Sequence, residues 1–252
     1  MYPVLVEIGG LKVYAYGVFV ALGILAGVRV ADREALRRGL DRDAFFDMAF
    51  WSVIAGIVGA RAFHVAVYRG DYANDPLEIL RIWNGGLVFY GGLLLAIPVG
   101  ILFLRRRGVP VLPIVDAAAV GIPLGLAFGR VGCFLAGCCY GKVCWLPWAV
   151  IFRAPGSLAP QHIPLHPTQL YEALASVAIF GILYGTRKRF ETPGMLFWTL
   201  LLLYGTARSL LEFFRNDPRG FVGPFSESQV VSAVLILYAL ASIARSRVAR
   251  PA

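Results

Sequence analysis

Charged residues are scarce in this chain. They make up 15% of its 252 residues, whereas 58% are hydrophobic and the mean hydropathy is +0.70. This composition supplies too little polar surface to cover a soluble globule of such length. A soluble domain, a low-complexity linker and a clear internal repeat are also missing. These absences predict a single integral membrane domain over residues 1–252.

Long apolar runs take the place of the missing polar segments. A helix needs about 20 apolar residues to cross about 30 Å of hydrocarbon, and seven segments approach that length. We therefore expect an all-α, polytopic membrane protein with about seven transmembrane helices. The predicted spans are Tyr14–Val30, Phe45–Tyr68, Gly86–Leu104, Val115–Leu135, Gln169–Thr186, Gly194–Phe213 and Ser226–Ala244.

Acidic residues are outnumbered, 15 against 24 Lys and Arg, which gives a formal net charge of +9. A basic chain can bind nucleic acid, but these charges lie at span ends, where cytoplasmic retention and anionic lipid account for them. No nucleic-acid partner is expected. The charge distribution predicts an amino terminus outside and a carboxyl terminus in the cytoplasm. The basic clusters lie within residues 29–42, 105–107, 187–189 and 245–250.

The longest segment between predicted spans, residues 136–168, falls on the extracytoplasmic side of this topology. It carries five prolines. A long ordered loop is typical of a lid or a binding element rather than of a plain connector.

Three arginines lie inside the predicted spans: Arg61, Arg130 and Arg208. Each lies some fourteen positions, or about 21 Å, beyond a cytoplasmic start, and therefore in the outer half of the bilayer. A charge in hydrocarbon costs roughly 2.5–3.5 kcal/mol, which indicates a site unless the side chain snorkels to water. Guanidinium groups bind phosphate bidentately, and the abundant phosphates of a membrane are lipid headgroups. The arginines thus predict a phospholipid headgroup site.

Other polar residues admit two interpretations each. Glu212 stands four residues after Arg208, so the two side chains could simply neutralise each other. The glycine doublets at residues 85–86 and 91–92 fit either close helix packing or a bent entry whose amides meet an anion. Asp116 suits a helix cap, and His64 suits a packed or interfacial histidine.

All four cysteines lie within twelve residues: Cys133, Cys138, Cys139 and Cys144. On the extracytoplasmic side, close pairs favour a disulfide. Small buried packing residues and a metal or redox site are the alternatives, although the spacing is not a usual one for zinc.

Four motifs in order resemble the bacterial prolipoprotein diacylglyceryl transferase family: GRVGCF with the later Gly141, IWNGGLVFYGGLL, HPTQLYEAL and RSLLEFFRND. The resemblance extends from span one to the end of span six. It implies transfer of the diacylglyceryl group of phosphatidylglycerol to the lipobox cysteine of preprolipoproteins at the bacterial inner membrane, forming a thioether and releasing glycerol phosphate. The implied partners are phosphatidylglycerol, preprolipoprotein signal peptides and membrane lipids, and no metal or organic cofactor is implied.

Carried over by position, the resemblance gives functional roles to Arg130 and Arg208. These arginines would hold the headgroup phosphate and stabilise the negative charge of the leaving group. The resemblance also points to Tyr16, Tyr204 and Glu212. The remaining candidates for substrate binding are Arg61, Gly91, Gly92 and Gly141.

The chain departs from the family pattern at the histidine that precedes Gly-Gly in span three, which is Tyr90 here. A phenol with a pKa of about 10 is a poor base at neutral pH, so Tyr90, Glu212 and His166 are base candidates without an order. The family asparagine and a nearby acidic residue are Cys133 and Cys138, which leaves open a paralogue with another acceptor or lipid. The arginine layer alone would also suit a non-catalytic phospholipid transporter or lipid-binding protein.

Overall fold

The computed structural model describes residues 3–8, 11–73, 75–216, 221–222 and 224–248. Helix dominates these residues, as the sequence predicts. Arg250 and the Asp217 of the fourth motif lie outside the described residues. The α-helices of the described part are α1 (Ala15–Arg37), α2 (Arg42–Val67), α3 (Phe89–Arg106), α4 (Val111–Ala136), α5 (Thr168–Thr186), α6 (Met195–Glu212) and α7 (Glu227–Val248).

Five of these helices, α1, α2, α3, α4 and α7, are long and apolar enough to cross a membrane. The chain is therefore a multi-pass membrane protein. Each of the seven predicted spans overlaps one helix, but α5 and α6 are not among the five. These two helices contain buried charged residues, Glu172 on α5 and Arg208 on α6, which lower their hydropathy.

Several helix boundaries differ from the predicted spans by three or more residues, and two of these differences have a local explanation. Helix α1 continues to Arg37 rather than ending at Val30, and its added turns carry buried Glu34, which pairs with Arg187 at 3.5 Å. Helix α3 begins at Phe89 rather than Gly86. Gly85 and Gly86 have φ angles of +93° and +71°, a left-handed backbone that cannot continue a right-handed helix.

The chain forms two compact units, residues 1–34 with 115–252 and residues 35–114. The prediction of a single domain therefore stays a prediction. In the first unit, α4, α5 and α6 share a hydrophobic core, and Val30 of α1 packs against it. The buried residues of that core are Ala119, Val120, Ile179, Leu183, Leu196 and Leu200.

Helices α1 and α4 approach closely because each presents a Gly-x3-Gly pair. A Cβ on Gly23 would lie 2.7 Å from the carbonyl oxygen of Gly125, and one on Gly121 would lie 2.1 Å from that of Gly27. Small residues permit such backbone contact between helices in a bilayer.

Asp116 fixes the register of α4 against α6. Its buried carboxylate accepts hydrogen bonds from the amides of Gly194 at 2.8 Å and Phe197 at 2.9 Å, so it caps α6 instead of its own helix. Arg130 follows Asp116 by fourteen residues, and Arg208 follows Gly194 by fourteen residues. Equal offsets along two helices of about 1.5 Å rise per residue place the two arginines at the same level.

Short antiparallel hairpins interrupt the helices: β1 (Val4–Ile8) with β2 (Leu11–Tyr14), β3 (Val150–Ile151) with β4 (Pro164–Leu165), and β5 (Phe221–Val222) with β6 (Phe225–Ser226). The loop that contains β3 and β4 has a small core of its own, built on Phe152, Ala159 and Leu165. It is an ordered loop.

In the second unit, α2 and α3 pack through glycines. A Cβ on Gly91 would lie 2.3 Å from the Cβ of Phe63, and one on Gly92 would lie 3.0 Å from the carbonyl oxygen of Gly56. Of the two interpretations of this doublet, the structure shows close helix packing.

Candidate functional site

The carboxylate of Glu172 on α5 lies among three guanidinium groups. Its Oε2 is 2.5 Å from Arg130 Nε on α4, and its Oε1 is 3.4 Å from Arg208 Nη1 on α6. Arg215, which follows α6, also contacts Oε1 through Nη1. We call these four residues the Glu172 cluster. Two of the three arginines expected at a headgroup site, Arg130 and Arg208, are thus brought together.

The loop after α4 fixes the position of Arg215. Gly141 pairs with Arg215 in an antiparallel bridge, and the Lys142 amide donates to the Phe214 carbonyl oxygen at 2.8 Å. A Cβ on Gly141 would lie 2.6 Å from the Cβ of His166, so a side chain has no room there. Gly141 therefore supports the Glu172 cluster through backbone packing.

Arg208 has two further partners. Its Nη2 lies 2.7 Å from Glu212 Oε2, the pair that the four-residue spacing predicts, and donates to Ser228 Oγ at 2.9 Å. Arg130, Arg208 and Arg215 together face Glu172 and Glu212. Among these five side chains, three guanidinium groups against two carboxylates leave one positive charge.

The cluster is deeply buried on the α6 side and open at Arg130. The side chains of Arg208 and Arg215 are 8% and 2% exposed, whereas that of Arg130 is 21% exposed. A cleft beside them is lined in part by Glu172, Ser176, Tyr204 and Arg208. A positive charge in such a low-dielectric setting attracts an anion more strongly than it would in water.

Two tyrosines that the resemblance singles out, Tyr204 and Tyr16, belong to the same unit as Arg130. Tyr204 lines the cleft and interacts electrostatically with the Arg130 guanidinium. Tyr16, about half exposed, interacts with the same guanidinium from α1, where its backbone packs against Gly132. Both residues therefore belong to the electrostatic surroundings of Arg130.

His166 lies at the start of the segment that leads into α5. Its Nδ1 is 3.1 Å from the Tyr171 hydroxyl, which accepts a hydrogen bond from Trp148 Nε1 at 2.7 Å. The His166 ring also packs edge-on against Phe214. These contacts hold the imidazole beside the segment that carries Arg215.

Three cysteines converge at the end of α4. The sulfur atoms of Cys133, Cys138 and Cys139 all lie within 4.8 Å of one another, and all four cysteines carry free thiols. Cys144, also buried, does not belong to this group. The structure therefore contains no disulfide among these four cysteines, although their spacing and predicted location favour one.

Local backbone chemistry explains this convergence. Gly137, with a φ of +75°, ends α4 in a Schellman motif: the Cys138 amide donates to the Cys133 carbonyl oxygen and the Gly137 amide to that of Phe134. Cys139 then adopts a φ of +60°, which costs a non-glycine residue about 1–3 kcal/mol.

Side chains from the start of α5 hold the strained turn. Thr168 Oγ1 donates to the Cys139 carbonyl oxygen at 2.8 Å, and Gln169 Nε2 to that of Cys138 at 2.7 Å. Hydrogen bonds with the other two thiols, followed by the charges of Arg215 and Arg130, lower the pKa of Cys139. The thiols and the Glu172 cluster are therefore adjacent.

Arg61, in the second unit, has a different environment. Its guanidinium donates to the backbone carbonyl oxygens of Ile79 at 2.9 Å, Gly85 at 2.7 Å and Gly86 at 3.1 Å, and also to that of Glu78. The side chain is buried and lies over the Tyr72 ring. These contacts attach the segment before α3 to α2, a structural role that the sequence interpretation of Arg61 as a headgroup ligand did not include.

His64 and Tyr90 belong to the same unit. His64 Nδ1 lies 2.8 Å from the Tyr72 hydroxyl, in keeping with a packed histidine. Tyr90 lies in the first turn of α3, about half exposed, with its ring edge-on to Phe89.

Sequence reasoning did not select Glu172, Arg215 or Ser228 as site residues. Glu172 could have been found, because it is an acidic residue inside a predicted span, where the rule that flags intramembrane arginines applies equally. Arg215 and Ser228 gave no such signal, because their contacts depend on how the loop after α4 and the start of α7 fold back.

Fold and site together define a class: a multi-pass membrane protein with three guanidinium groups gathered around one carboxylate. The chain matches the family described as prolipoprotein diacylglyceryl transferase over residues 3–245. It belongs to that family, and is therefore an enzyme, a transferase.

Curated relatives agree with this assignment. A phosphatidylglycerol–prolipoprotein diacylglyceryl transferase of Clostridium tetani is 39% identical over 238 residues, which cover 94% of each chain. Enzymes with the same name from Geobacter sulfurreducens and Thermus thermophilus are 37% and 36% identical. They cover 94% and 96% of this chain, and 92% and 97% of the respective relative.

Proposed function

We propose that this chain transfers the diacylglyceryl group of phosphatidylglycerol to the lipobox cysteine thiol of preprolipoproteins, forming a thioether and releasing glycerol phosphate. The observation that carries the proposal is the buried Glu172 carboxylate among three guanidinium groups. Family membership supplies the reaction class, and the cluster supplies a place for the phosphate.

The chemistry moves negative charge onto that phosphate. The acceptor sulfur attacks the glyceryl carbon that bears the phosphate ester, so an S–C bond forms while the C–O bond breaks. The bonding pair leaves with glycerol phosphate, whose charge rises from one to about two as a diester becomes a monoester. Fixed guanidinium groups away from bulk water stabilise the added charge without reorganising.

Arg130 is the residue that we assign to the headgroup phosphate. It is the most exposed arginine of the cluster, and a guanidinium has five N–H donors, so its contact with Glu172 leaves donors for phosphate oxygens. Arg208 and Arg215 hold Glu172 and contribute positive field. Tyr16 and Tyr204 are proposed to contact the bound lipid, since both lie near Arg130.

The general base stays open among three residues. Glu212 is already paired with Arg208, and the His166 ring is fixed by the Tyr171 hydroxyl. Tyr90 occupies the position of the family histidine. We propose that Tyr90 assists through its hydroxyl rather than by taking the thiol proton.

The membrane orientation is also part of the proposal. We infer that α5 and α6 complete seven spans, that the amino terminus faces outward, and that the site opens to the outer leaflet of the inner membrane. Reporter fusions should place residues 105–107 and 187–189 in the cytoplasm and residues 140–165 outside. A cytoplasmic location of the long loop would refute this orientation.

The deciding experiment is transfer itself. Purified protein, phosphatidylglycerol and a lipobox peptide should yield a diacylglyceryl thioether by mass spectrometry, and a peptide with serine in place of the acceptor cysteine should yield none. A lipid-binding or transport protein would bind phosphatidylglycerol but form no thioether. A product on other thiol peptides only would indicate a paralogue with another acceptor, the alternative that Cys133 and Cys138 leave open.

Substituting Arg130 tests the site. Arg130→Lys keeps the charge but loses the planar guanidinium group, which can bind a phosphate through two N–H groups at once. Transfer should therefore fall about a hundredfold or more, the effect of removing one hydrogen-bond donor to the transition state. Arg153→Lys, an exposed change in the long loop, is the matched control. Unchanged turnover of folded Arg130→Lys would reduce Arg130 to a structural residue.

A further inference from the structure

The three thiols at the end of α4 are not used by the roles proposed above for Arg130, Arg208 and Arg215. Cys133 is buried, and Cys138 and Cys139 are half-buried. The Schellman turn and the left-handed Cys139 bring their sulfur atoms to one point, and hydrogen bonds from Thr168 and Gln169 hold the turn there.

The sulfur geometry suits one thiophilic ion. A Zn–S distance of about 2.3 Å in a tetrahedral site requires sulfur atoms about 3.8 Å apart. The observed separations, all within 4.8 Å, need only a small contraction. A disulfide would use two of the three sulfur atoms and leave the third aside, whereas a metal ion uses all three.

Charge favours the same occupant. Three thiolates and one divalent ion leave a single negative charge, and the guanidinium groups of Arg130 and Arg215 both interact with Cys139. Thiolate ligands select borderline-soft ions such as Zn²⁺ and disfavour Mg²⁺ or Ca²⁺.

The location adds a chemical consequence. Cys133 follows Arg130 by three residues, so both side chains lie on one face of α4. We propose that Cys133, Cys138 and Cys139 bind one zinc-type ion through three thiolates, and that the acceptor thiol of the prolipoprotein fills the fourth coordination position. The second part rests on the proposed function, because that function supplies the thiol.

This arrangement would activate the acceptor thiol without a general base from Tyr90, Glu212 or His166. A coordinated thiol loses its proton outright, here to solvent, and stays a nucleophile. Its sulfur then attacks the glyceryl carbon, the C–O bond breaks, and glycerol phosphate leaves with the electron pair toward Arg130. The neutral thioether is a weaker ligand and dissociates, so the ion is again bound by the three cysteine thiolates alone.

Cadmium titration of the reduced, metal-free protein in detergent tests the first part. Cd²⁺ reports each thiolate through an ultraviolet charge-transfer band. We expect one ion per chain and protection of three thiols from a thiol reagent. Cys138→Ser and Cys139→Ser should each weaken binding by more than about tenfold, whereas the matched variant Cys144→Ser should bind as wild type does. No saturable band, thiols already oxidised to a disulfide, or equal loss in Cys144→Ser would overturn the site.

A peptide titration tests the fourth position. Adding a lipobox peptide to the cadmium-loaded protein should raise the charge-transfer band by about one third, as three Cd–S bonds become four. The peptide with serine in place of cysteine should leave the band unchanged. A band unaffected by the cysteine peptide would overturn the fourth-ligand assignment. Both titrations are read without lipid, so their outcome is separate from whether transfer occurs.

Discussion

The arginines of the two units give the same sequence signal and have different environments. Arg130 and Arg208 both contact the single carboxylate of Glu172. Arg61 instead donates to four neutral carbonyl oxygens of its own unit. Carbonyl contacts let Arg61 hold an irregular segment in place, whereas several guanidinium groups around one carboxylate concentrate positive charge. The arginines of the two units therefore differ in the partners that their guanidinium groups contact.

Glu172 is the residue whose loss should break this comparison most. Glu172→Gln keeps the shape but removes the charge that compensates three buried guanidinium groups. Removing one partner of a buried ion pair costs about 3–5 kcal/mol, so the unfolding transition in detergent should drop steeply and transfer should disappear. Glu191→Gln, an exposed change before α6, should alter neither. Wild-type stability in Glu172→Gln would mean that the cluster does not depend on its central carboxylate.

Arg61→Lys should give the second largest effect, on stability alone. One ammonium cannot reach all four carbonyl oxygens, and each buried polar group left without a partner costs about 1–3 kcal/mol. Thermal unfolding should show that loss, while transfer per folded molecule stays at the wild-type value. If Arg61→Lys instead resembled Arg130→Lys, with normal folding and lost turnover, the structural assignment of Arg61 would fail.

The contrast between these arginines marks what sequence could and could not predict. The helical class and the overlap of each predicted span with one helix follow from apolar run length, and the Arg208–Glu212 pair follows from four-residue spacing. The partners of Arg61 lie 17 to 25 residues further along the chain on an irregular segment. No periodic sequence pattern predicts that this segment folds back against α2. The Glu172 contacts likewise join three elements, and Asp116 sets the register of only two of them, α4 and α6.

The glycine contacts of the second unit allow a smaller test. Gly91→Ala places a Cβ 2.3 Å from that of Phe63, and overpacking of this kind costs about 1–3 kcal/mol. Gly181→Ala in α5 is the matched control, because nothing lies within 4 Å of its added Cβ. Unfolding curves should separate the two variants. Equal curves would contradict the helix-packing role of Gly91.

Tyr90 should show the smallest effect, and on transfer rather than on folding. Its ring is half exposed at the start of α3, so Tyr90→Phe removes a hydroxyl without opening a cavity. If that hydroxyl donates one hydrogen bond during transfer, its loss should reduce the rate by about tenfold, the worth of a single net hydrogen bond. Tyr90→His restores the residue of the resembling family and should retain or improve transfer. Thioether formation by all three forms across a pH range is the measurement, with circular dichroism as the control for folding. Equal rates for Tyr90→Phe and wild type at every pH would exclude the hydroxyl and direct the search for the base to Glu212 and His166.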